Sequence, residues 1–230
     1  MEKSYYNSSV WTDKSPTLSV LVPTRDMMHS YFSYCLIELV KANLEAGVQT
    51  NVFYDMSTVL LNQRSNLAKK AIESNSDYML WLDSDMMYPS TTALRLLGHN
   101  KDVVACNYMK RSKPLKTVAY TSLKDWESWL PLTKTGTLEE VEGVGMGCML
   151  IKTSTFKKLN SPFFTFPYDP DLDTYHGEDF ELCRNIRKLG TPILIDMDLS
   201  VEIKHLGTFS FGEKLTVNKN KEAVFKIKKY

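Results

Sequence analysis

Apolar and polar positions fall along this chain in blocks that read as strand, helix, strand, helix. Leu18 to Val22 is an unbroken apolar run closed by Pro23, the pattern of a strand buried on both faces. Met27 to Ala46 carries apolar residues at near-helical spacing and stops at Gly47, the residue type expected just past a helix end. Val48 to Tyr54 reads as a second strand. Ser57 is placed to cap a helix running to about Asn75, with Leu60, Leu67, Ala68, Ala71 and Ile72 on its apolar stripe. Arg64 falls on that same stripe, where a charge either snorkels to the surface or faces a polar cavity. Tyr78 to Leu82 is a third strand, Pro89 to Leu97 a short helix and Val103 to Tyr108 a fourth strand. This order predicts an α/β fold with a mostly parallel sheet and right-handed crossovers.

The second half is less regular. Glu139 to Val144 and Cys148 to Lys152 read as strands, and Trp126 and Trp129 precede them. Gly177 to Gly190 is a helix: Leu182, Ile186 and Leu189 share a face, acids crowd its start, and Arg184, Arg187 and Lys188 crowd its end. Ile193 to Asp196 and Val201 to Lys204 read as short strands. With no internal repeat, low-complexity segment or interdomain linker, one domain over 18–210 is expected, after an N-terminal lead of 1–17 and before a basic tail of 211–230.

Length and composition agree with this outline. At 230 residues and 43% hydrophobic content the chain buries a substantial core. No run approaches a membrane span, and the polar start Met-Glu-Lys-Ser-Tyr-Tyr-Asn lacks a signal peptide's apolar middle. A soluble, cytoplasmic protein is expected. Cys35, Cys106, Cys148 and Cys183 form no C-x-x-C pair and lie mostly in apolar stretches, which predicts buried free thiols. The net charge of +1 hides an asymmetry, because six Lys lie between Lys214 and Tyr230 against one Glu. Such a tail is either a solvated end or a holder of polyanions or anionic membrane.

Chemistry concentrates where the third strand ends, in Asp83-Ser84-Asp85. In an extended segment residues i and i+2 project to one side, so Asp83 and Asp85 would face one divalent cation while Ser84 points away. At the carboxyl end of a parallel strand such a pair reads as a metal and phosphate site. The same residues also suit a helix N-cap or an Asx turn. Glu178 and Asp179 have an ordinary reading too, since acids at a helix start oppose its dipole.

Taken together, Val22-Pro23-Thr24-Arg25, Asp83-Ser84-Asp85, the glycines from Gly143 to Gly147, Gly177-Glu178-Asp179 and the later His205 resemble the glycosyltransferases of the GT-A fold. The likeness spans about Leu18 to Gly207 and is nearest to small bacterial and phage-type members related to the inverting, cellulose-synthase-like family. It implies a single-domain, Rossmann-like sheet and transfer of a hexosyl group from a nucleoside diphosphate sugar, a UDP-sugar first, to a hydroxyl. It implies that Pro23, Thr24 and Arg25 meet the base or ribose, with Asp55 a second contact. Arg64 and Asn66 look like the family's Arg and Asn in the helix before the Asp-x-Asp motif. Asp83 and Ser84 would meet the donor, with Asp83 on the ribose or a metal-bound water. Asp85 would bind the metal directly and His205 would add an imidazole, a ligand set for Mn²⁺ or Mg²⁺. Asp179 would be the general base, with Glu178 in reserve.

The acceptor is less defined, a glycan or a modified nucleobase in DNA. Gly143, Gly145 and Gly147 with Met146 form a strip that sugar or acceptor could approach closely, or a bulged strand. Trp126, Trp129, Tyr168 and Tyr175 could stack on a sugar or base. The stretch Lys110-Arg111-Ser112-Lys113-Pro114 with Lys116, joined to the tail, admits a nucleic acid acceptor. Two rivals stand beside the transferase reading: a noncatalytic nucleotide-sugar or nucleic-acid binding module, and a sugar nucleotidyltransferase. The latter would carry a glycine-rich first loop with Arg and Lys, where this chain has Pro-Thr-Arg-Asp.

Overall fold

The computed structural model of the chain describes residues 15–112, 114–171 and 173–207. The first strand, β1 (Thr17–Pro23), is buried from Leu18 onward, as its unbroken apolar run requires. Helix α1 (Ser30–Glu45) ends before Gly47, whose φ of 76° turns the chain into β2 (Gln49–Asp55). Helix α2 (Leu60–Glu73) leads to β3 (Tyr78–Leu82), buried at every position. The short β4 (Met86–Met87), α3 (Thr92–Gly98) and β5 (Val103–Ala105) follow. After a long connection come β6 (Leu138–Val141), β7 (Cys148–Lys152) and the single turn α4 (Thr153–Phe156). A small hairpin of β8 (Tyr168–Asp169) and β9 (Thr174–Tyr175) precedes α5 (Glu178–Lys188). The described chain ends with β10 (Ile193–Asp196), α6 (Met197–Ser200) and β11 (Lys204–His205).

Seven strands make one sheet in the order β2-β1-β3-β7-β5-β10-β6. Strands β2, β1, β3, β5 and β10 run the same way, while β7 lies antiparallel between β3 and β5 and β6 lies antiparallel at the edge. The mostly parallel α/β sheet read from the sequence is therefore present. Its fourth strand in chain order is not beside its third, because the fully apolar Cys148-Met149-Leu150-Ile151 run inserts between them.

Several element boundaries differ from the sequence reading, and for three the local reason is plain. Ser57 does not cap α2; its amide donates to Asp55 Oδ1 at 3.0 Å, an Asx turn that closes β2 and leaves Val59 at the cap position. Val201 to Lys204 is not a strand, because Asp196 caps α6 by accepting the Leu199 amide at 2.7 Å and pairing starts only at Lys204. Strand β5 stops at Ala105, and Asn107 Oδ1 just beyond accepts the amides of Val118 and Ala119 at 3.2 and 3.1 Å.

The strand order places the site. From β1 the chain moves outward to β2 and then crosses back to β3 on the other side. The order thus reverses between β1 and β3, and the crevice at their carboxyl ends is where open α/β sheets bind ligands. One core cluster packs both faces of the sheet. All four cysteines are buried and free, as expected. Among the described residues, no helix is long and apolar enough to cross a membrane. The basic tail of 211–230 lies outside the described residues.

Candidate active site

Asp83 and Asp85 stand at the end of β3, but not on an extended strand. The Met86 amide donates to Asp83 O at 3.1 Å and closes a turn over Ser84 and Asp85. The two carboxylates consequently take different partners, which corrects the picture of one shared face. Asp83 Oδ1 lies 3.3 Å from Arg64 Nη2, whereas Asp85 Oδ2 lies 2.9 Å from Arg111 Nη2 and 3.4 Å from His205 Nε2. Ser84 contributes its carbonyl, which accepts the His29 amide at 3.3 Å.

Arg64 neither snorkels nor reaches solvent; at 4% exposure it points from α2 into the crevice. Its Nε lies 3.3 Å from Oε1 of Glu178, itself buried, so one guanidinium joins the end of β3 to the start of α5. Burial pushes the guanidinium pKa down, but Asp83, Glu178 and Asp179 outweigh it and hold the group charged. Arg64 Nη1 is buried and has no hydrogen-bond partner among the described residues.

Next to this pair sits Asp179, which accepts the Phe180 amide at 2.8 Å and has no cation of its own among the described ion pairs. Burial, with Glu178 beside it, pushes its carboxyl up to about 6. Gly177 makes room for this arrangement, since any Cβ there would collide with Asp179 Oδ1. Asp83, on the floor of the same crevice, is also shifted up by desolvation, which Arg64 only partly offsets. Asp85 moves the other way: burial raises it, but His205 and Arg111 outweigh that and hold it below the usual carboxylate value.

A small antiparallel ladder brings His205 across 120 residues of chain. Strand β11 pairs His205 with Met86 of β4, and the Leu206 amide donates to Asp85 O at 2.7 Å. His205 Nδ1 lies 3.1 Å from Met109 O, which can only accept, so Nδ1 carries the proton. With Nδ1–H held by that carbonyl, Nε2 is the ring nitrogen that faces Asp85, and a cation between them would take the place of an Nε2 proton, the orientation that metal-ligating histidines receive from such a bond. Among the described residues no group of three or more His, Cys, Asp or Glu is placed to hold a metal ion. A two-residue anchor still fits Mg²⁺ or Mn²⁺ chemistry, because such ions bind through one or two carboxylates and substrate phosphates. Arg111 occupies the same Asp85 oxygen and would have to yield it.

The residues expected to meet the donor lie at the neighbouring strand ends and on the helix beside them. Thr24 is buried; its amide donates to Asp55 O at 3.0 Å and its hydroxyl to Met27 O at 3.2 Å, while Arg25 is exposed. Asn66 donates to Asp55 Oδ2 at 3.0 Å, so Asn66 serves the end of β2 and Arg64 the end of β3. The Ser57 amide and Asn66 outweigh burial and keep the Asp55 carboxyl low. Gln63, which the sequence reading passed over, ties Thr24 O to Ser57 O through Nε2 and fixes the loop after β1.

Other expectations change. The glycine strip is not open to a ligand: a Cβ at Gly145 or Gly147 would lie 2.7 or 2.5 Å from Tyr108 Oη, and one at Gly143 2.7 Å from Leu123. Those glycines admit the protein's own side chains, and Tyr108 in turn accepts the Gly147 amide at 2.9 Å. The basic stretch is not a free cationic patch either. Lys110 donates to Tyr120 Oη, Arg111 holds Asp85, and Lys116 lies 2.6 Å from Glu127. The described residues therefore offer no support for a nucleic acid acceptor. Trp126 stacks on His176 with centroids 5.5 Å apart, and Tyr168 packs on Tyr175 across the β8-β9 hairpin.

No protein-family model matches the chain, and no curated protein matches it significantly. Several solved structures do. A mutant of Drosophila beta-1,4-galactosyltransferase 7, in complex with manganese, UDP-Gal and xylobiose, is 15% identical, covers 86% of this chain and 78% of its own, and has a TM-score of 0.50. A protein from STIV is 19% identical, covers 78% and 81%, and has a TM-score of 0.49. A glycosyltransferase involved in glycosylation of the major capsid of PBCV-1 is 16% identical, covers 66% and 71%, and has a TM-score of 0.35. The likeness to the galactosyltransferase is one of fold, and it shows that this chain has the mixed α/β architecture of GT-A-like proteins.

Proposed function

We propose that the chain is a metal-dependent glycosyltransferase that moves a sugar from a nucleoside diphosphate sugar, a UDP-sugar first, to a hydroxyl. One observation carries the proposal: at the β1/β3 switch point a buried Arg64 ties Asp83 to Glu178 and leaves Asp179 as the carboxylate without a paired cation. The fold shared with the UDP-Gal and manganese complex supports the same reading. Mn²⁺ or Mg²⁺, held by Asp85 and His205 with Asp83 nearby, would supply Lewis-acid stabilisation to the departing diphosphate.

In this reading Pro23, Thr24, Arg25, Asp55 and Asn66 receive the base and ribose along the ends of β1 and β2, and Ser84 lies on the donor path. Arg64 offsets part of the cluster's negative charge, and its Nη1, without a hydrogen-bond partner among the described residues, is a donor that an oxyanion would satisfy. Glu178 is the counterion of Arg64, which removes it from proton transfer. Asp179 takes the proton from the acceptor hydroxyl at a carboxylate oxygen during attack, a role suited to a pKa of about 6. A general base on the acceptor side fits the inverting stereochemistry of the resembling enzymes. A buried carboxylate with no paired cation among the described ion pairs, set at the ligand crevice, is the arrangement of a general base, which supports the enzyme over the binding module.

A thermal-shift screen of nucleoside diphosphate sugars with Mn²⁺, followed by a transfer assay on the hits, tests the proposal. A donor should stabilise the protein only with the metal present. A folded protein that neither binds nor turns over any donor would refute it. Asp85→Ala should abolish metal-dependent donor binding in calorimetry, and an unchanged affinity would remove Asp85 from the site. Arg111→Ala should tighten Mn²⁺ binding by itself, by no more than about fivefold, since a half-exposed ion pair contributes under about 1 kcal/mol. Mn²⁺ titration followed by electron paramagnetic resonance measures it; weaker binding would show that Arg111 does not compete.

A further inference from the structure

Next to the turn that seats Asp179, Phe166, Tyr175, His176 and Gly177 line an open cleft of about 390 Å³. We propose that this cleft is the acceptor subsite and that its occupant is an uncharged glycan, one pyranose ring of which lies against Tyr175 and Phe166. The inference rests on the glycosyltransferase reading and adds the class of acceptor to it.

Position, surface and charge each argue for this occupant. Gly177 belongs to both the cleft wall and the turn that seats Asp179, so a hydroxyl presented from the cleft comes to the side of the base. The walls are aromatic and open: Tyr175 is 68% and Phe166 43% exposed, and neither is needed to fill the core. The C–H face of a pyranose packs on such rings, while its hydroxyl rim stays in water. The wall is also built to hold its shape. Asp169 Oδ2 lies 2.8 Å from His176 Nε2, the His176 amide donates to Pro167 O at 2.9 Å, and Trp126 stacks on the imidazole at an interplanar angle of 20°. Trp126 is held in turn edge-on by Tyr120 and Phe180.

Charge then separates a sugar from other ligands that stack on aromatics. Between 161 and 183 there is no Lys or Arg, while Asp169, Asp171, Asp173, Glu178, Asp179 and Glu181 all fall there. A nucleic acid strand or a lipid phosphate would bring anions to an acidic wall, whereas phosphate binding draws on Lys and Arg. A neutral glycan meets no such penalty.

The test is saturation-transfer NMR on the full chain with Mn²⁺ and UDP present. The probes are neutral disaccharides (cellobiose, lactose, maltose and xylobiose), a uronic-acid disaccharide, a short single-stranded oligodeoxynucleotide and a Ser/Thr peptide. At least one neutral disaccharide should bind and be saturated most strongly on the C–H protons of one ring face. Tyr175→Ala or Phe166→Ala should weaken that binding roughly tenfold, in line with loss of one aromatic contact, and Tyr175→Phe should restore it. Both side chains are exposed, so the variants should fold, and circular dichroism checks this. Binding confined to the oligonucleotide, the uronic acid or the peptide would overturn the inference, as would a disaccharide affinity indifferent to both alanine variants. Calorimetry of UDP-sugar with Mn²⁺ runs in parallel: its failure while disaccharides still bind the cleft counts against the transferase reading alone.

Discussion

Asp179→Asn should leave donor binding intact and slow sugar transfer by about 10²- to 10⁴-fold, the usual contribution of a positioned general base. The same substitution should stabilise the fold. In the native protein the Asp179 carboxyl is raised from 3.8 to about 6 by burial and by Glu178. Between those two values the unfolded chain ionises while the folded one stays protonated. The wild type therefore loses stability as pH rises from about 4 to about 6, by up to about 3 kcal/mol. Asparagine has no such loss, so its advantage should be full above pH 6 and absent below pH 4. Urea melts of both proteins across that range measure it. In wild-type kinetics kcat/KM should rise with pH through a limb near 6, as the base loses its proton, and the limb should vanish in the variant's residual activity. Full transfer by Asp179→Asn would remove Asp179 from the chemistry.

Arg64→Met should cost about 3–5 kcal/mol at neutral pH, because it strips the shared cation from a crowded set of buried acids. The guanidinium stabilises Asp83, Glu178 and Asp179 only while they are ionised. Its loss should therefore hurt most at neutral pH, where the cluster carries its negative charge, and least in acid, where carboxyls are neutral, opposite in sense to the effect of Asp179→Asn. Adding Glu178→Gln or Asp83→Asn to Arg64→Met should recover part of the stability, since the partners share one network. Denaturant melts at two pH values and a double-mutant cycle check both statements. A pH-independent loss, or strict additivity, would show that Arg64 acts through packing alone.

Much of this was legible in the chain, for reasons that differ between residues. The run Tyr78 to Leu82 is apolar throughout because β3 is buried on both faces, and periodicity reports that directly. Arg64 was conspicuous because a charge on an apolar stripe needs a destination, and both its partners were already suspected. The insertion of β7 between β3 and β5 was not legible, since chain order does not state spatial order. Neither was the partition of Asp83 and Asp85 between two cations, which one backbone hydrogen bond from Met86 decides. The glycines from Gly143 to Gly147 misled in the same way: a missing side chain marks close approach, and here the visitor is Tyr108. The Asp169-His176-Trp126 wall was not legible because Trp126 reaches His176 from a distant loop and nothing in the pattern pairs His176 with Asp169, although the acids without a neighbouring Lys or Arg are visible in the sequence.

The central claim is that a divalent cation sits between Asp85 and His205 and meets a nucleoside diphosphate at the end of β3. Anomalous diffraction at the manganese edge, from crystals soaked with MnCl₂ and UDP, tests it most directly. The expected result is one manganese peak within bonding distance of Asp85, His205 Nε2 and the diphosphate, with Arg111 withdrawn from Asp85. UDP bound elsewhere, or bound there with no manganese and the Arg111–Asp85 pair intact, would contradict it.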